Sequence, residues 1–192
     1  SRAEVVEALA GNLCRCTGYR SIIDAAMESS EKAEKDSFSR HYQQTIEQLT
    51  ELNQQGTTEL NCANQSYYSP NNIEDLAQRL LINPSSTLVA GSTDLALAVT
   101  QNLETFKALV YLGNVKELNQ VSETEHHFII GAAVPYSIFT PVIEESYPEL
   151  AEMIERIGSR QVRNNGTLGG NIGNASPIGD MPPALIALGA EI

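Results

Sequence analysis

The sequence predicts a chain of short helices followed by a mixture of helices and strands. Apolar residues recur every three or four positions in two segments before residue 28, which is typical of helices. Residues 28–64 are rich in Glu, Lys, Gln, Asn and Ser, a composition that predicts a linker. After Pro70, helical stripes alternate with short apolar runs bounded by turn-forming residues, which predicts a region with both helices and strands.

The two N-terminal helices should flank a tight connection, residues 12–20. The first helix is expected to end near Ala10, because Gly11 permits the left-handed conformation that commonly stops a helix. Ser21 with Asp24 three residues later resembles a capping box, so the second helix is expected to begin there.

The predicted linker contains two patterns. The alternating charges of residues 31–36 predict a solvated face. Apolar residues between 38 and 49 repeat at helical spacing, so part of the segment is expected to form a helix that lies on another surface. These residues are Phe38, Tyr42, Ile46 and Leu49.

The segment after the linker has clear helix and strand signals. Asn72 is a good helix cap, and Asn83 followed by Pro84 should end that helix. The further elements predicted are a strand over residues 87–90, a helix over 94–99, strands over 108–112 and 128–130, and a helix over 144–157.

Composition excludes several classes of protein. The chain has 192 residues and a formal charge of −12, from 24 acidic and 12 basic residues. Such an acidic chain is a poor partner for nucleic acid or an anionic membrane surface. No apolar run approaches the roughly 18 residues of a membrane span, and three cysteines, two of them one residue apart, are a poor disulfide framework. The sequence therefore predicts a soluble, cytoplasmic protein of one ordinary domain or two small ones.

Cys14 and Cys16 lie in the connection between the first two helices. Peptide dipoles and the cations Arg15 and Arg20 should lower the pKa of these thiols and favour thiolates. Two thiolates at this spacing could ligate an iron-sulfur cluster, which needs four ligands; a pair of ordinary reduced thiols is the alternative. Cys62 lies in a polar stretch and is expected to be an incidental thiol.

Residues 88–95, Leu-Val-Ala-Gly-Ser-Thr-Asp-Leu, predict a strand, a glycine turn and a helix start. Backbone N–H groups and the hydroxyls of Ser92 and Thr93 could hold a pyrophosphate there. Ordinary helix capping by Ser and Thr is the alternative.

Residues 158–179 are dense in glycine, which permits close approach of the backbone to a ligand. The spacing matches neither the dinucleotide fingerprint of Rossmann folds nor the phosphate loop of NTPases. Arg156, Arg160 and Arg163 lie just before or among these glycines. They could form a local anion site, or they could pair with surface carboxylates such as Glu152 and Glu155.

No set of residues points to independent catalysis. His126 and His127 have no cysteine or carboxylate at ligand spacing and are expected to be surface histidines. No Ser-His-Asp set or pair of carboxylates stands out, so hydrolytic chemistry has no support.

Residues 11–19, Gly-Asn-Leu-Cys-Arg-Cys-Thr-Gly-Tyr, resemble the second cysteine pair of the helical 2Fe-2S domain in molybdenum hydroxylases, the xanthine dehydrogenase family. In that family a preceding C-x2-C pair completes the ligand set of the cluster. The resemblance implies that Cys14 and Cys16 are metal ligands and that the other two ligands lie before Ser1.

Residues 90–95 and 160–180 resemble the two FAD loops of the same family, in the same order. The family's usual first loop has glycine where Ser92 stands, and a small hydroxyl residue should be tolerated. The resemblance implies that residues 88–95 wrap the diphosphate, that Ile157 packs on the cofactor, and that the second loop holds the flavin and its ribityl-phosphate portion. The implied cofactor-binding residues are Leu88, Val89, Ala90, Gly91, Ser92, Thr93, Asp94, Leu95, Ile157, Gly166, Thr167, Leu168, Gly169, Gly170, Asn171, Asn174 and Asp180.

The resemblance implies an α+β architecture. Residues 1–27 would end a helical 2Fe-2S domain, 28–64 would be the linker, and 65–192 would be the first part of an FAD-binding domain of the vanillyl-alcohol-oxidase type. The implied function is electron transfer within a xanthine dehydrogenase. Electrons from purine hydroxylation at a molybdenum cofactor on a large partner subunit would reach FAD through 2Fe-2S clusters and then reduce NAD. The alternative is a non-catalytic module that binds a flavin or supports assembly, with its cysteines free.

Overall fold

The computed structural model describes residues 1–32, 36–53 and 56–192. The chain divides into two compact units, Ser1–Gly56 and Thr57–Ile192. Residues 33–35 of the predicted charge run lie outside the described residues. Among the described helices, none is long and apolar enough to cross a lipid bilayer.

The first unit is helical where it is described. Its helices are α1 (Arg2–Leu9), α2 (Arg20–Glu31), α3 (Ser37–Arg40) and α4 (Tyr42–Asn53). The end of α1 confirms the prediction, because Ala10 is its C-cap and Gly11 has φ 89°. The capping box predicted at Ser21 is wrong. Tyr19, with φ 68°, precedes α2 instead, so the chain enters that helix directly from a left-handed residue.

Helix α4 confirms that the polar segment contains a helix. No residue of α4 is buried. Phe38 is 84% exposed and Leu49 is 59% exposed. The apolar stripe therefore remains open to solvent among the described residues, and the structure shows no surface on which it lies.

The second unit contains a four-stranded sheet in the order β1-β2-β4-β3. Its strands are β1 (Thr58–Cys62), β2 (Gln65–Ser69), β3 (Thr87–Val89) and β4 (Ala108–Tyr111). β1 and β2 are antiparallel, and β4 lies parallel between β2 and β3, with Leu109 opposite both Tyr67 and Thr87. Strands β5 (Val121–Glu123) and β6 (Phe128–Ile130) form a separate antiparallel pair.

The helices of this unit lie between and after the strands. They are α5 (Ile73–Ile82), α6 (Leu95–Thr100), a 3₁₀ turn (Lys116–Asn119), α7 (Tyr136–Ile143), α8 (Pro148–Glu155), α9 (Arg160–Arg163), α10 (Leu168–Asn174) and α11 (Met181–Ala187). Helices and strands together confirm the predicted α+β class.

The structure confirms some predicted helix boundaries, shifts others and adds a helix that was not predicted. The side chain of Asn72 caps α5 by accepting the N–H of Asp75 at 2.8 Å. Helix α8 begins at Pro148 rather than Glu144, because proline lacks an N–H and fits the first turn of a helix. Helix α7 was not predicted, and it contains Pro141.

Strands β1 and β2 were not predicted either. All five positions of β1 are exposed, so this strand buries neither of its faces. Cys62 nevertheless pairs with Gln65 at the turn between the strands. Residues 58–62 therefore belong to the sheet, although their polar composition placed them in the predicted linker.

Two buried clusters stabilise the second unit. The smaller cluster consists of Leu76 of α5, Val110 of β4 and Val115. The larger lies among α7, α8, α10 and α11 and consists of Val134, Tyr136, Phe139, Ile143, Ile154, Leu168 and Met181. Because Tyr136 begins α7 and Leu168 begins α10, this core fixes the glycine-rich turn that precedes α10.

Candidate functional site

The first glycine turn, residues 90–94, connects β3 to α6 as the sequence predicts. The N–H of Leu112 donates to the carbonyl of Val89 at 2.8 Å and anchors the start of the turn. Ser92 has φ 58°, a left-handed conformation that favours glycine. Ser92, Thr93 and Asp94 are exposed, so the turn presents its polar side chains to solvent.

The second glycine turn, residues 164–167, connects α9 to α10. The N–H of Tyr136 donates to the carbonyl of Gly166 at 3.0 Å, and Pro135 forms an antiparallel bridge with Thr167. The Thr167 hydroxyl caps α10 by accepting the N–H of Gly170 at 3.0 Å. Main-chain bonds to the segment before α7 thus hold this turn in place.

The two turns are in direct contact. A Cβ on Gly91 would lie 1.7 Å from the carbonyl oxygen of Asn165 and 3.0 Å from the nitrogen of Gly166. A Cβ on Gly166 would lie 3.5 Å from the Thr93 hydroxyl oxygen. The fold therefore brings the two glycine motifs together, and their contact requires that Gly91 have no side chain.

The predicted cofactor-binding residues fall into exposed and buried groups. Those with exposed positions, open to a ligand, are Leu88, Ser92, Thr93, Asp94, Gly170, Asn174 and Asp180. Leu168 is only 8% exposed and belongs to the core. Thr167 is 5% exposed, with its hydroxyl committed to the cap. Gly166 is buried. The remaining predicted residues are partly buried: Val89, Ala90, Gly91, Leu95, Ile157, Gly169 and Asn171.

Gly169 packs against the backbone of Ala132. A Cβ there would lie 2.5 Å from the carbonyl oxygen of Ala132, and the Gly169 N–H donates to that oxygen at 3.0 Å. The sequence predicts that glycines in this region allow a ligand to approach the backbone closely. At Gly169 the close neighbour is instead the backbone of Ala132. Residues 168–171, expected as part of a loop, form the first turn of α10, because the Thr167 cap starts a helix there.

Two of the three arginines have partners within the protein. The Arg163 side chain is buried, and its Nη1 donates to the carbonyls of Glu155, Ile157 and Gly158 at 2.7, 3.3 and 3.2 Å. Arg156 pairs with Glu152 one helical turn away. The surface-pairing alternative is therefore correct for Arg156, and Arg163 instead stabilises the C-terminal end of α8.

Two buried polar atoms near the second turn have no hydrogen-bond partner among the described residues. They are the Tyr136 hydroxyl oxygen and Asn171 Oδ1. Burial, with a further contribution from the Asp180 carboxylate, raises the pKa of Tyr136 to about 12. Sequence reasoning missed Tyr136 because it predicted no helix over α7, and no local motif marks this residue.

The cysteine pair lies between α1 and α2. Cys14 is partly exposed, Cys16 and Cys62 are exposed, and none of them forms a disulfide. A hydrogen bond from the Thr17 hydroxyl, with smaller contributions from the N–H groups of Cys16 and Thr17, lowers the pKa of the Cys14 thiol. For Cys14 the lowered pKa confirms the expected direction, but local hydrogen bonds rather than the neighbouring arginines cause it.

The donor set at this connection fits half of an iron-sulfur cluster. Within the described ranges, no three side chains of His, Cys, Asp or Glu are grouped closely enough to hold a metal ion. Two thiols with a lowered pKa on one of them can supply two of the four ligands that a 2Fe-2S cluster takes. His126 and His127 are exposed, as predicted.

The pair of turns suits a phosphate-containing cofactor. Neither the Ser92 nor the Thr93 hydroxyl makes a hydrogen bond to the described part of the protein, so both can donate to a ligand. Both lie on a turn that has no bulky side chain at Gly91, and N–H groups in such turns bind phosphate oxygens. The exposed polar residues Asn174 and Asp180 lie at the far end of α10 and after it.

Comparison with known proteins identifies the family. Residues 59–192 match the family of FAD binding domains in molybdopterin dehydrogenase, and residues 1–27 match the 2Fe-2S binding domain family. The chain belongs to the first of these families over most of its length and carries part of the second at its N-terminus. The fold described above is therefore that of an FAD-binding domain of the molybdenum hydroxylases.

Individual relatives differ in substrate. Xanthine dehydrogenase from Drosophila pseudoobscura pseudoobscura is 27% identical across all of this chain and 18% of its own length. The nicotine 6-hydroxylase medium subunit of Paenarthrobacter nicotinovorans is 29% identical across 66% of this chain and 45% of that subunit. The solved structure of carbon monoxide dehydrogenase from Hydrogenophaga pseudoflava has a TM-score of 0.59 at 27% identity and covers 67% of this chain and 46% of its own.

The chain thus spans about a fifth of the length of the xanthine dehydrogenases that it matches. The comparisons establish FAD and 2Fe-2S domains of the molybdenum hydroxylase family.

Proposed function

We propose that this chain is part of the electron-transfer subunit of a molybdenum hydroxylase of the xanthine dehydrogenase type. Its second unit would bind FAD, and its first unit would supply Cys14 and Cys16 to a 2Fe-2S cluster. The observation that carries the proposal is the contact of Gly91 with Asn165 and Gly166. That contact unites two distant motifs into one surface with unpaired hydroxyls.

Each part of this surface has a role that follows from its chemistry. The N–H groups of residues 90–94 and the hydroxyls of Ser92 and Thr93 donate hydrogen bonds to the diphosphate. Ile157, which is partly buried against the larger core cluster, offers an apolar surface to the ring system. The polar side chains of Asn171, Asn174 and Asp180 bind the flavin and its ribityl portion. Bound FAD would supply the redox chemistry, which belongs to the cofactor.

The proposal also includes a partner that delivers electrons to this chain and an acceptor that removes them. A large subunit or domain with a molybdenum cofactor would deliver electrons taken from a purine, and NAD would accept them. The match to xanthine dehydrogenases over the whole chain supports the purine assignment. A medium subunit of nicotine 6-hydroxylase among the relatives supports a separate partner subunit.

The cofactor assignment is tested on the full-length protein that carries this chain. Absorption spectroscopy and iron analysis of the purified protein should show flavin bands with about four irons per flavin, because two 2Fe-2S clusters are expected. Flavin without iron would instead favour the non-catalytic module. Absence of both cofactors from freshly purified and reconstituted protein would overturn the proposal.

The substrate and acceptor need a second assay. Xanthine should bleach the flavin absorbance under anaerobic conditions, and NAD should restore it. Bleaching by an aldehyde but not by xanthine, or reoxidation by oxygen but not by NAD, would overturn the xanthine dehydrogenase type while leaving the family unchanged.

The site assignment is tested with one matched pair of variants. Thr93→Val removes the hydroxyl at nearly constant volume and should weaken FAD binding about tenfold, by the loss of one charge-assisted hydrogen bond. Thr105→Val makes the same change at an exposed threonine outside both turns, and FAD affinity should stay unchanged. Equal affinity of the Thr93→Val variant and the wild type would contradict the assignment of the first turn to the diphosphate.

A further inference from the structure

The hydroxyl of Tyr136 is an unsatisfied donor in the core of the second unit. Tyr136 begins α7, is 2% exposed and has no partner for its hydroxyl among the described residues. Leaving a buried hydroxyl without a hydrogen bond destabilises a protein. A phenylalanine would fill the same space without that cost, so the hydroxyl calls for a partner outside the hydrogen bonds described so far.

Tyr136 stands directly behind the second glycine turn. Its N–H donates to the Gly166 carbonyl at 3.0 Å. Its ring atom Cε2 would be 3.4 Å from a Cβ on Gly166, and the same Cβ would be 3.5 Å from the Thr93 hydroxyl oxygen. One residue therefore separates the Tyr136 ring from the first turn.

The charged residue associated with this phenol is Asp180. Its carboxylate is the charge that acts on the Tyr136 hydroxyl, and the next residue, Met181, belongs to the same buried cluster as Tyr136. Asp180 precedes α11 but makes no side-chain cap bond to it. Its carboxylate is therefore not engaged by its own helix.

A second unsatisfied atom adjoins the same segment. Asn171 Oδ1 is buried without a partner and would be 3.2 Å from a Cβ on Gly179, the residue before Asp180. Two unsatisfied polar atoms thus lie near the short segment that carries Asp180.

We infer that Tyr136 is a positioning residue, whose hydroxyl donates a hydrogen bond to the Asp180 carboxylate in the FAD-bound protein and so orients that carboxylate toward the cofactor. This inference rests on the proposed function, which places Asp180 at the flavin. An O–H to carboxylate bond is among the stronger hydrogen bonds of proteins. It satisfies the phenol and restricts the rotation of an otherwise exposed side chain.

The test measures FAD affinity by fluorescence titration of the full-length apoprotein. Tyr136→Phe keeps the ring, including its packing on Phe139 at a centroid distance of 5.6 Å, and removes only the hydroxyl. The variant and Asp180→Asn should each weaken FAD binding about tenfold. The double variant should be no weaker than the weaker single variant, because both changes break the same bond.

Two further readouts separate positioning from a purely structural role. The unfolding temperature of the apoprotein should not fall in Tyr136→Phe, because the hydroxyl has no partner there. The visible circular dichroism of the bound flavin should shift in the same way in Tyr136→Phe and Asp180→Asn. Tyr147→Phe, at a tyrosine that is 40% exposed, is the matched control and should leave affinity and spectrum unchanged.

Wild-type FAD affinity and spectrum in Tyr136→Phe would overturn the inference, and so would fully additive effects of the two substitutions. Failure of the wild type itself to bind FAD would overturn the proposed function and this inference with it. The two failures are distinguishable, because only the second affects the wild type.

Discussion

Gly91 packs so closely on Asn165 that a Cβ on Gly91 would lie 1.7 Å from the Asn165 carbonyl oxygen. The two residues belong to separate turns, one after β3 and one before α10. No real Cβ can approach an oxygen that closely, so the absence of a side chain at residue 91 allows the turns to meet.

Gly91→Ala should therefore push the turns apart. Overpacking of this kind lowers the free energy of unfolding by about 1–3 kcal/mol, and the separated turns should no longer retain FAD. Urea unfolding and flavin content measure the two effects. The control Gly173→Ala lies within α10 in open space and should raise stability by up to about 1 kcal/mol. A Gly91→Ala variant as stable as the wild type would contradict the contact.

Ser92 carries backbone strain that glycine would relieve. Its φ of 58° costs a non-glycine residue roughly 1–2 kcal/mol. Ser92→Gly should raise the free energy of unfolding by about 1 kcal/mol. This gain is smaller than the strain relieved, because glycine loses more conformational entropy on folding than serine does. Ser92→Ala loses the same hydroxyl but keeps the strain, so it should give no gain in urea unfolding. Equal stabilities of the two variants would argue against strain at this position.

Arg163 stabilises the C-terminal end of α8 through three carbonyl groups. Arg163→Met fills similar space but removes the buried donor from those three carbonyls. The free energy of unfolding should fall by about 3 kcal/mol. Arg163→Lys keeps a charged donor and should lose less. Thermal and urea unfolding give both values, and a methionine variant of wild-type stability would contradict this role.

Tyr19 holds the backbone at the cysteine pair. Its hydroxyl oxygen accepts the N–H of Cys14 at 2.8 Å, and its left-handed φ of 68° turns the chain into α2. Tyr19→Phe keeps the ring but releases Cys14. Groups that orient metal ligands typically contribute 10- to 100-fold to metal affinity, so the full-length variant should lose iron to a chelator faster. Tyr42→Phe, on α4, is the control; equal iron loss in both variants would refute the role.

Stability at high pH should depend on Tyr136. Its pKa is about 12 in the folded protein because burial disfavours the phenolate, against roughly 10 for an exposed tyrosine. Its neutral form contributes fully below pH 10, and that contribution is lost between pH 10 and 12 at about 1.4 kcal/mol per pH unit. Urea unfolding at pH 9 and 11 should show a smaller loss in Tyr136→Phe than in the wild type. Identical losses would contradict a buried phenol.

Local signals predicted those elements whose ends are encoded by neighbouring residues. Asn72 caps α5, Gly11 follows α1, and the apolar runs of β3, β4 and β6 lie between turn-forming residues. The elements missed are those without such signals. β1 is exposed throughout and forms because β2 offers it hydrogen bonds, and α7 tolerates an internal proline because it packs in the larger core cluster.

The sequence by itself determined the chemistry available to this protein: a cysteine pair between two helices and two glycine-rich turns, each recognisable from a few consecutive residues. Only the tertiary structure decided which of these residues meet. The contact of Gly91 with Asn165, the burial of Leu168, and the unsatisfied hydroxyl of Tyr136 behind Gly166 all join segments far apart in the chain. Propensity and spacing act over a few residues, whereas burial and close approach depend on how distant elements pack.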